Sequence, residues 1–118
     1  INEYAGSGGD AMPYYFKQQK IGPLVGKRTW GGLVGITGYP PLMDGGYVTA
    51  PSVSFVDPQG RFTVENEGVA PDLEVEWTPL EVIAGRDPQI EKAVAWLLEE
   101  LKRNPAREFR PEPFPRGR

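Results

Sequence analysis

The chain has 118 residues, 39% of them hydrophobic, and a formal net charge of −3. That is enough for one small domain with a core, and the slight acidity gives no footing for nucleic-acid binding. It contains no cysteine and no histidine, which excludes disulfides, thiolate metal sites and any His-dependent reaction completed within this chain alone.

In chain order, Ile1–Ala5 reads as the end of a buried strand. The first residue is Ile rather than Met, so sequence is expected to precede it. Gly6-Ser7-Gly8-Gly9 is a sharp turn, and a helix is expected over Asp10–Lys20. Asp10 fits its N-cap, which places Pro13 in the first turn, where a missing N–H costs nothing. Gly22-Pro23 ends that helix. Short strands are expected over Leu24–Thr29 and Leu33–Thr37, with Trp30-Gly31-Gly32 turning between them. After the Asp44-Gly45-Gly46 turn come strands Tyr47–Ala50 and Ser52–Val56, interrupted by Pro51. Asp57-Pro58-Gln59-Gly60 has Pro at the second position of a turn, and Arg61–Glu65 returns as a strand. Leu73–Trp77 alternates apolar and acidic residues, the pattern of an edge strand. Asp87-Pro88 starts a helix with the apolar stripe Ile90, Val94, Leu97, Leu98 and Leu101 at helical spacing. From Pro105 prolines and arginines interleave, so residues 105–118 are expected to form an extended tail on a domain of residues 1–104. No apolar run approaches the roughly 20 residues of a membrane span.

Three places could carry chemistry. Ser7 sits in a glycine-flanked strand-turn-helix, the geometry that exposes a nucleophilic hydroxyl beside the N–H of the next residue, Gly8. The same residues, Ser7-Gly8-Gly9-Asp10, also fit a helix capping box. A cap at Ser7 would bury Pro13 inside the helix and lose the bond to the Gly9 carbonyl, which argues against it. Glu65 lies at a strand end in Val64-Glu65-Asn66-Glu67-Gly68, where a carboxylate can orient a catalytic partner. A solvated charge is the plain alternative, and Glu67 would point to the same side of a strand. The uncharged Leu33–Thr37 strand could add to an extended peptide, or be an ordinary buried strand. Asp44, Asp57, Asp72 and Asp87 read as turn and cap residues, and no cluster has metal-ligand spacing.

Several blocks in order resemble the C-terminal part of the tricorn group of tail-specific (carboxy-terminal processing) serine peptidases. They are Asn2–Asp10, Gly26–Thr37, Val64–Val69 with Pro71-Asp72, and Gly85–Ile90, and the likeness runs from Ile1 to about Leu101. It implies part of an α/β, crotonase-like (ClpP-like) fold, closed by a C-terminal amphipathic helix. It implies Ser7 as the nucleophile and the Gly8 N–H as an oxyanion donor. The group's pattern has Asp at the place of Gly8, so only the backbone role carries over. Glu65 matches the glutamate that acts through a second serine to orient the histidine. Ile36 and Thr37 match the segment flanking the bound peptide. The histidine, that second serine and the other oxyanion donor would lie in sequence before Ile1. The resemblance therefore implies a serine peptidase whose isolated 118-residue piece is inactive. It also implies a peptide substrate, the missing N-terminal part of the same protein and further copies of itself as partners. No cofactor, metal, nucleic acid or membrane is implied, and the setting would be cytoplasmic. A non-catalytic ligand- or peptide-binding module of the same fold is the alternative.

Overall fold

A computed structural model describes residues 1–106, 108–112 and 114. Its elements in order are α1 (Gly8–Gln18), β1 (Val25–Gly26), β2 (Gly35–Thr37), β3 (Ala50–Val53), β4 (Leu73–Glu74), α2 (Pro79–Ile83) and α3 (Pro88–Arg103). Strands β1 and β4 pair in parallel, Val25 opposite Leu73; β2 and β3 pair antiparallel, Thr37 opposite Ala50, with a bulge between Gly35 and Ile36. The strands are two to four residues long because each runs only as far as a partner follows it.

Several expectations are corrected. Asn2–Ala5 closes a turn instead of a strand: Ala5 N–H donates to Asn2 C=O at 3.1 Å. Only Ile1 runs beside β1, with its ammonium donating to Val25 C=O and its carbonyl accepting from Lys27 N–H. Helix α1 starts at Gly8 rather than Asp10, so Ser7 holds the N-cap position and Pro13 lies inside the helix after all. The lost bond to the Gly9 carbonyl is tolerated because Pro13 is fully buried against the interior. Pro51 does not divide two strands; it lies within β3, opposite Ile36. Arg61–Glu65 contributes a single bridge, Phe62 to Val56, before the chain turns at Val64. Helix α2 was not anticipated, although Thr78-Pro79-Leu80-Glu81 is a capping box. Glu81 N–H donates to the Thr78 hydroxyl, and the Glu81 carboxylate accepts from Thr78 N–H.

The turn and cap readings hold for three of the four aspartates. Asp44 accepts from Gly46 N–H, Asp57 from Gln59 and Arg61 N–H, and Asp87 caps α3 by accepting from Gln89 and Ile90 N–H. Asp72 does something else. One oxygen takes the Leu24 N–H at 2.9 Å and the other pairs with Lys17 at 2.9 Å, tying α1 to the β1–β4 pair. That N–H, with the ammonium beside it, holds the Asp72 carboxyl below its ordinary range.

The core is small: Leu24, Leu33, Val64 and Val69, with Ile1, Ala11, Tyr14 and Phe16 packed on it. The radius of gyration is 21.2 Å, against about 13–14 Å for a compact chain of this length. Helix α3 packs beside β1, yet Ile90, Val94, Leu97, Leu98 and Leu101 remain 47–61% exposed along one side. Such contiguous apolar surface is rarely left in water. The isolated chain is therefore expected to self-associate. Sedimentation velocity should show a sedimentation coefficient that rises with concentration; a constant monomer value across the range would contradict this. The described tail residues (105, 106, 108–112 and 114) lie outside helix and strand and are exposed. The extended reading of Arg107, Pro113 and residues 115–118 falls outside the described residues.

Candidate functional site

The stretch Trp30–Val34 is the hub on which the candidate residues converge. It connects first to the serine turn. Trp30 N–H donates to Ala5 C=O at 2.9 Å, and Ser7 N–H donates to Gly32 C=O at 2.8 Å. The Trp30 ring lies across both Gly6 and Gly32; a Cβ on Gly6 would meet it at 2.5 Å, so the close approach needs glycine there. From within α1, Asp10 reaches the same stretch and accepts from Gly31 N–H at 2.9 Å and Gly32 N–H at 3.0 Å. This contact explains why Asp10 is not a cap: its carboxylate faces another segment.

On its other side the hub is fastened to the Glu65 turn. Asn66 N–H donates to Gly31 C=O at 2.7 Å. Glu65 Oε2 accepts from both Leu33 N–H and Val34 N–H, each at 2.7 Å. The backbone that presents Glu65 is unusual. Val64 has φ 69° and Asn66 has φ 63°, so a buried β-branched residue sits in the left-handed region directly before the carboxylate. Glu67 N–H and Gly68 N–H both fold back to Val64 C=O, closing the turn. Gly31, at φ 85°, packs against this turn; a Cβ there would lie 2.5 Å from Gly68 N, leaving no room for one. Glu65 and Glu67 are thereby distinguished. Glu65 is half-buried and its carboxylate is bonded to the hub, whereas Glu67 is exposed and its carboxylate makes no hydrogen bond among the described residues; Arg28 donates to its carbonyl.

Ser7 itself has φ 52° and ψ −111° and its side chain makes no cap bond. A non-glycine residue there costs about 1–3 kcal/mol and persists only where the surroundings over-determine it. Ser7 is exposed, and its hydroxyl makes no hydrogen bond among the described residues. The next N–H, that of Gly8, is one of the free donors at the helix N-terminus and likewise has no partner among the described residues. A Cβ on Gly8 would point into open space, so the aspartate of the tricorn pattern would fit there without disturbing the N–H. Ile36 and Thr37 follow the hub directly as part of β2, which has β3 on one edge and no strand on the other among the described residues.

The arrangement thus joins Ser7 to Glu65 through consecutive residues: Ser7 bonds Gly32, and Glu65 bonds Leu33. No group of three or more acidic, His or Cys residues is placed to hold a metal ion among the described residues.

The sequence profile of peptidase family S41 matches residues 1–75, more than half of the chain. The chain belongs to peptidase family S41. It is 48% identical over 101 residues to the tricorn protease of Thermoplasma acidophilum, across 86% of this chain and 9% of that protein. It is 44% identical over 106 residues to tricorn protease homolog 1 of Streptomyces coelicolor, across 90% of this chain and 10% of that protein. The crystal structure of the tricorn protease matches with a TM-score of 0.78 at 48% identity, over 85% of this chain and 10% of that one. This S41 chain therefore spans about a tenth of the length of the curated relatives it matches. The resemblance read from its blocks is borne out, and so is a fold of mixed helix and strand. No helix among the described residues is long and apolar enough to cross a membrane.

Sequence reasoning missed Asp10 as a hub residue. Its partners lie 21 and 22 residues away. The available signal was chemical: an acid in an otherwise apolar-aromatic stretch, with three glycines before it and two more at 31 and 32.

Proposed function

We propose that this chain supplies the nucleophile and the glutamate of a serine peptidase active site whose remaining groups belong to the rest of the intact protein. The observation that carries this reading is Ser7: exposed, in a strained left-handed backbone, its hydroxyl and the neighbouring Gly8 N–H both without a partner among the described residues. A serine at an N-cap position normally uses its hydroxyl to bond the helix, and this one does not.

In the reaction, the Ser7 Oγ attacks the scissile carbonyl of a peptide. Its proton passes to a histidine outside this chain. The Gly8 N–H, aligned with the α1 dipole, donates to the developing oxyanion. Collapse expels the amine product, and water then releases the acyl group from Ser7. Glu65 keeps one oxygen on the Leu33 and Val34 N–H groups, and its other oxygen, without a partner among the described residues, accepts from the serine that orients the histidine. Ile36 and Thr37 offer the open edge of β2 to the extended peptide. In the intact protein this chain would form the second half of a crotonase-like (ClpP-like) catalytic domain, acting in the cytoplasm as a homo-oligomer.

The test is covalent labelling. A fluorophosphonate added to the intact protein should form an adduct that peptide mapping places on Ser7, while the isolated 118-residue chain should neither label nor cleave peptides. An intact protein left unlabelled would favour a non-catalytic binding module. Ser7-dependent cleavage by the isolated chain would overturn the division of the site.

A further inference from the structure

Asp10 is the only buried charged side chain among the described residues, at 0% exposure. A carboxylate removed from water is costly unless it is hydrogen-bonded. Here each oxygen has one backbone donor, Gly31 N–H to Oδ1 and Gly32 N–H to Oδ2, and no lysine or arginine among the described residues pairs with it. As the third residue of α1, it also sits where the helix dipole favours a negative charge.

An acid at this position of a helix usually turns back to accept the N–H of the cap residue. Asp10 does not. The Ser7 N–H goes instead to Gly32 C=O, and Gly32's own N–H goes to Asp10. The result is a closed circuit. Ser7 and Asp10 share one helical turn, and both hold Gly32, one by its carbonyl and the other by its N–H. Glu65 then takes the next two N–H groups, those of Leu33 and Val34. Four consecutive backbone donors, 31 to 34, are thus held by two carboxylates, with the serine turn attached in the middle.

We propose that Asp10 is a positioning residue for Ser7. It locks Gly32, Gly32 locks the Ser7 backbone at its positive φ, and the same lock sets the spacing between Ser7 and Glu65. The inference rests on the reading of Ser7 as nucleophile. Asp10 touches no substrate; it acts through the peptide units of Gly31 and Gly32.

The experiment uses the intact protein with Asp10→Asn, Asp10→Glu and Ser7→Ala in parallel. Asparagine has the shape of aspartate but turns an NH2 toward one of the two N–H donors, so one bond of the lock is lost. Turnover of a peptide substrate, the rate of fluorophosphonate labelling and thermal unfolding are all measured. The expected result for Asp10→Asn is a fall in kcat and labelling rate of about 10- to 100-fold, the scale of misplacing a reacting group by an ångström, with KM within about twofold and the protein folded at the assay temperature. If Asp10→Asn does not fold, Asp10→Glu, which keeps both acceptor oxygens on a longer stem, carries the same comparison of kcat against KM. Wild-type kcat and labelling in a folded Asp10→Asn would overturn the proposal while leaving Ser7 as nucleophile intact. Failure of both variants to fold would also overturn it, because Asp10 would then serve the fold as a whole. Undiminished turnover in Ser7→Ala would remove the nucleophile reading and this inference with it.

Discussion

Ser7→Ala in the intact protein is expected to lower kcat by about 10⁴- to 10⁶-fold, the loss seen when a nucleophile of this class is removed and only binding and the oxyanion donor remain. In the proposed reaction the hydroxyl forms the acyl bond, and no other serine or threonine stands at the α1 N-terminus to replace it. KM should change little, because the proposed peptide contacts lie along β2, which the substitution leaves alone. The strained backbone supplies a second, independent reading of the same position. Ser7 sits at φ 52°, so Ser7→Gly should be more stable than Ser7→Ala by about 1 kcal/mol, since glycine adopts that conformation without steric cost. Both variants would be inactive, and denaturant unfolding of the pair isolates the strain from the chemistry. Equal stability would mean that the turn holds serine without cost, and the elbow argument would fail even if activity were lost.

The next largest effect is expected at Glu65, where two substitutions divide two roles. Glu65→Ala removes the acceptor of the Leu33 and Val34 N–H groups. Leaving a buried donor unpaired costs about 1–3 kcal/mol; Leu33 is buried and Val34 half-buried, so the full range applies to the first and its lower end to the second. The Val64–Gly68 turn, already strained at Val64 and Asn66, would lose one of its two attachments to the hub, the other being Asn66 N–H to Gly31 C=O. Glu65→Gln behaves differently. Its amide oxygen can still accept both N–H bonds, so stability should stay close to that of the unsubstituted protein. The charge is gone, however, and in the proposed site the amide would present an NH2 to the serine that orients the base. A fall in kcat of about 10²-fold is expected for Glu65→Gln, with a larger fall for Glu65→Ala. Paired unfolding and steady-state measurements check this. Full turnover in Glu65→Gln would reduce Glu65 to a structural brace for residues 33 and 34.

Much of this protein is local and therefore readable along the chain. The start of α3 follows from Asp87 and Pro88, since a cap carboxylate and a proline at the first helical position act on residues two or three away. The Asp57 turn follows for the same reason, with both of its N–H partners within four residues. The blocks around Ser7, Gly31 and Glu65 carry the family likeness because they are contiguous. The alternatives left open by spacing were those that depended on distant partners. Whether Ser7 or Asp10 began α1 could not be decided locally, because the propensity argument against an internal Pro13 omitted the packing that buries it. Glu65 and Glu67 looked equivalent as long as the segment was read as a strand; a turn with two positive φ angles separates them. The strands came out shorter than their apolar patterns because a strand's extent is set by its partner's backbone, not by its own side chains.

Composition determined that the chain has no histidine, and contiguous motifs determined its family and its candidate serine and glutamate. Only the tertiary structure decided that Ser7, Asp10 and Glu65 meet on one five-residue stretch. Those bonds span 21 to 32 residues, and the donors are backbone N–H groups, which every residue but proline carries alike. A side chain's identity announces that it can accept a hydrogen bond; only the folded path of the chain decides which N–H it finds.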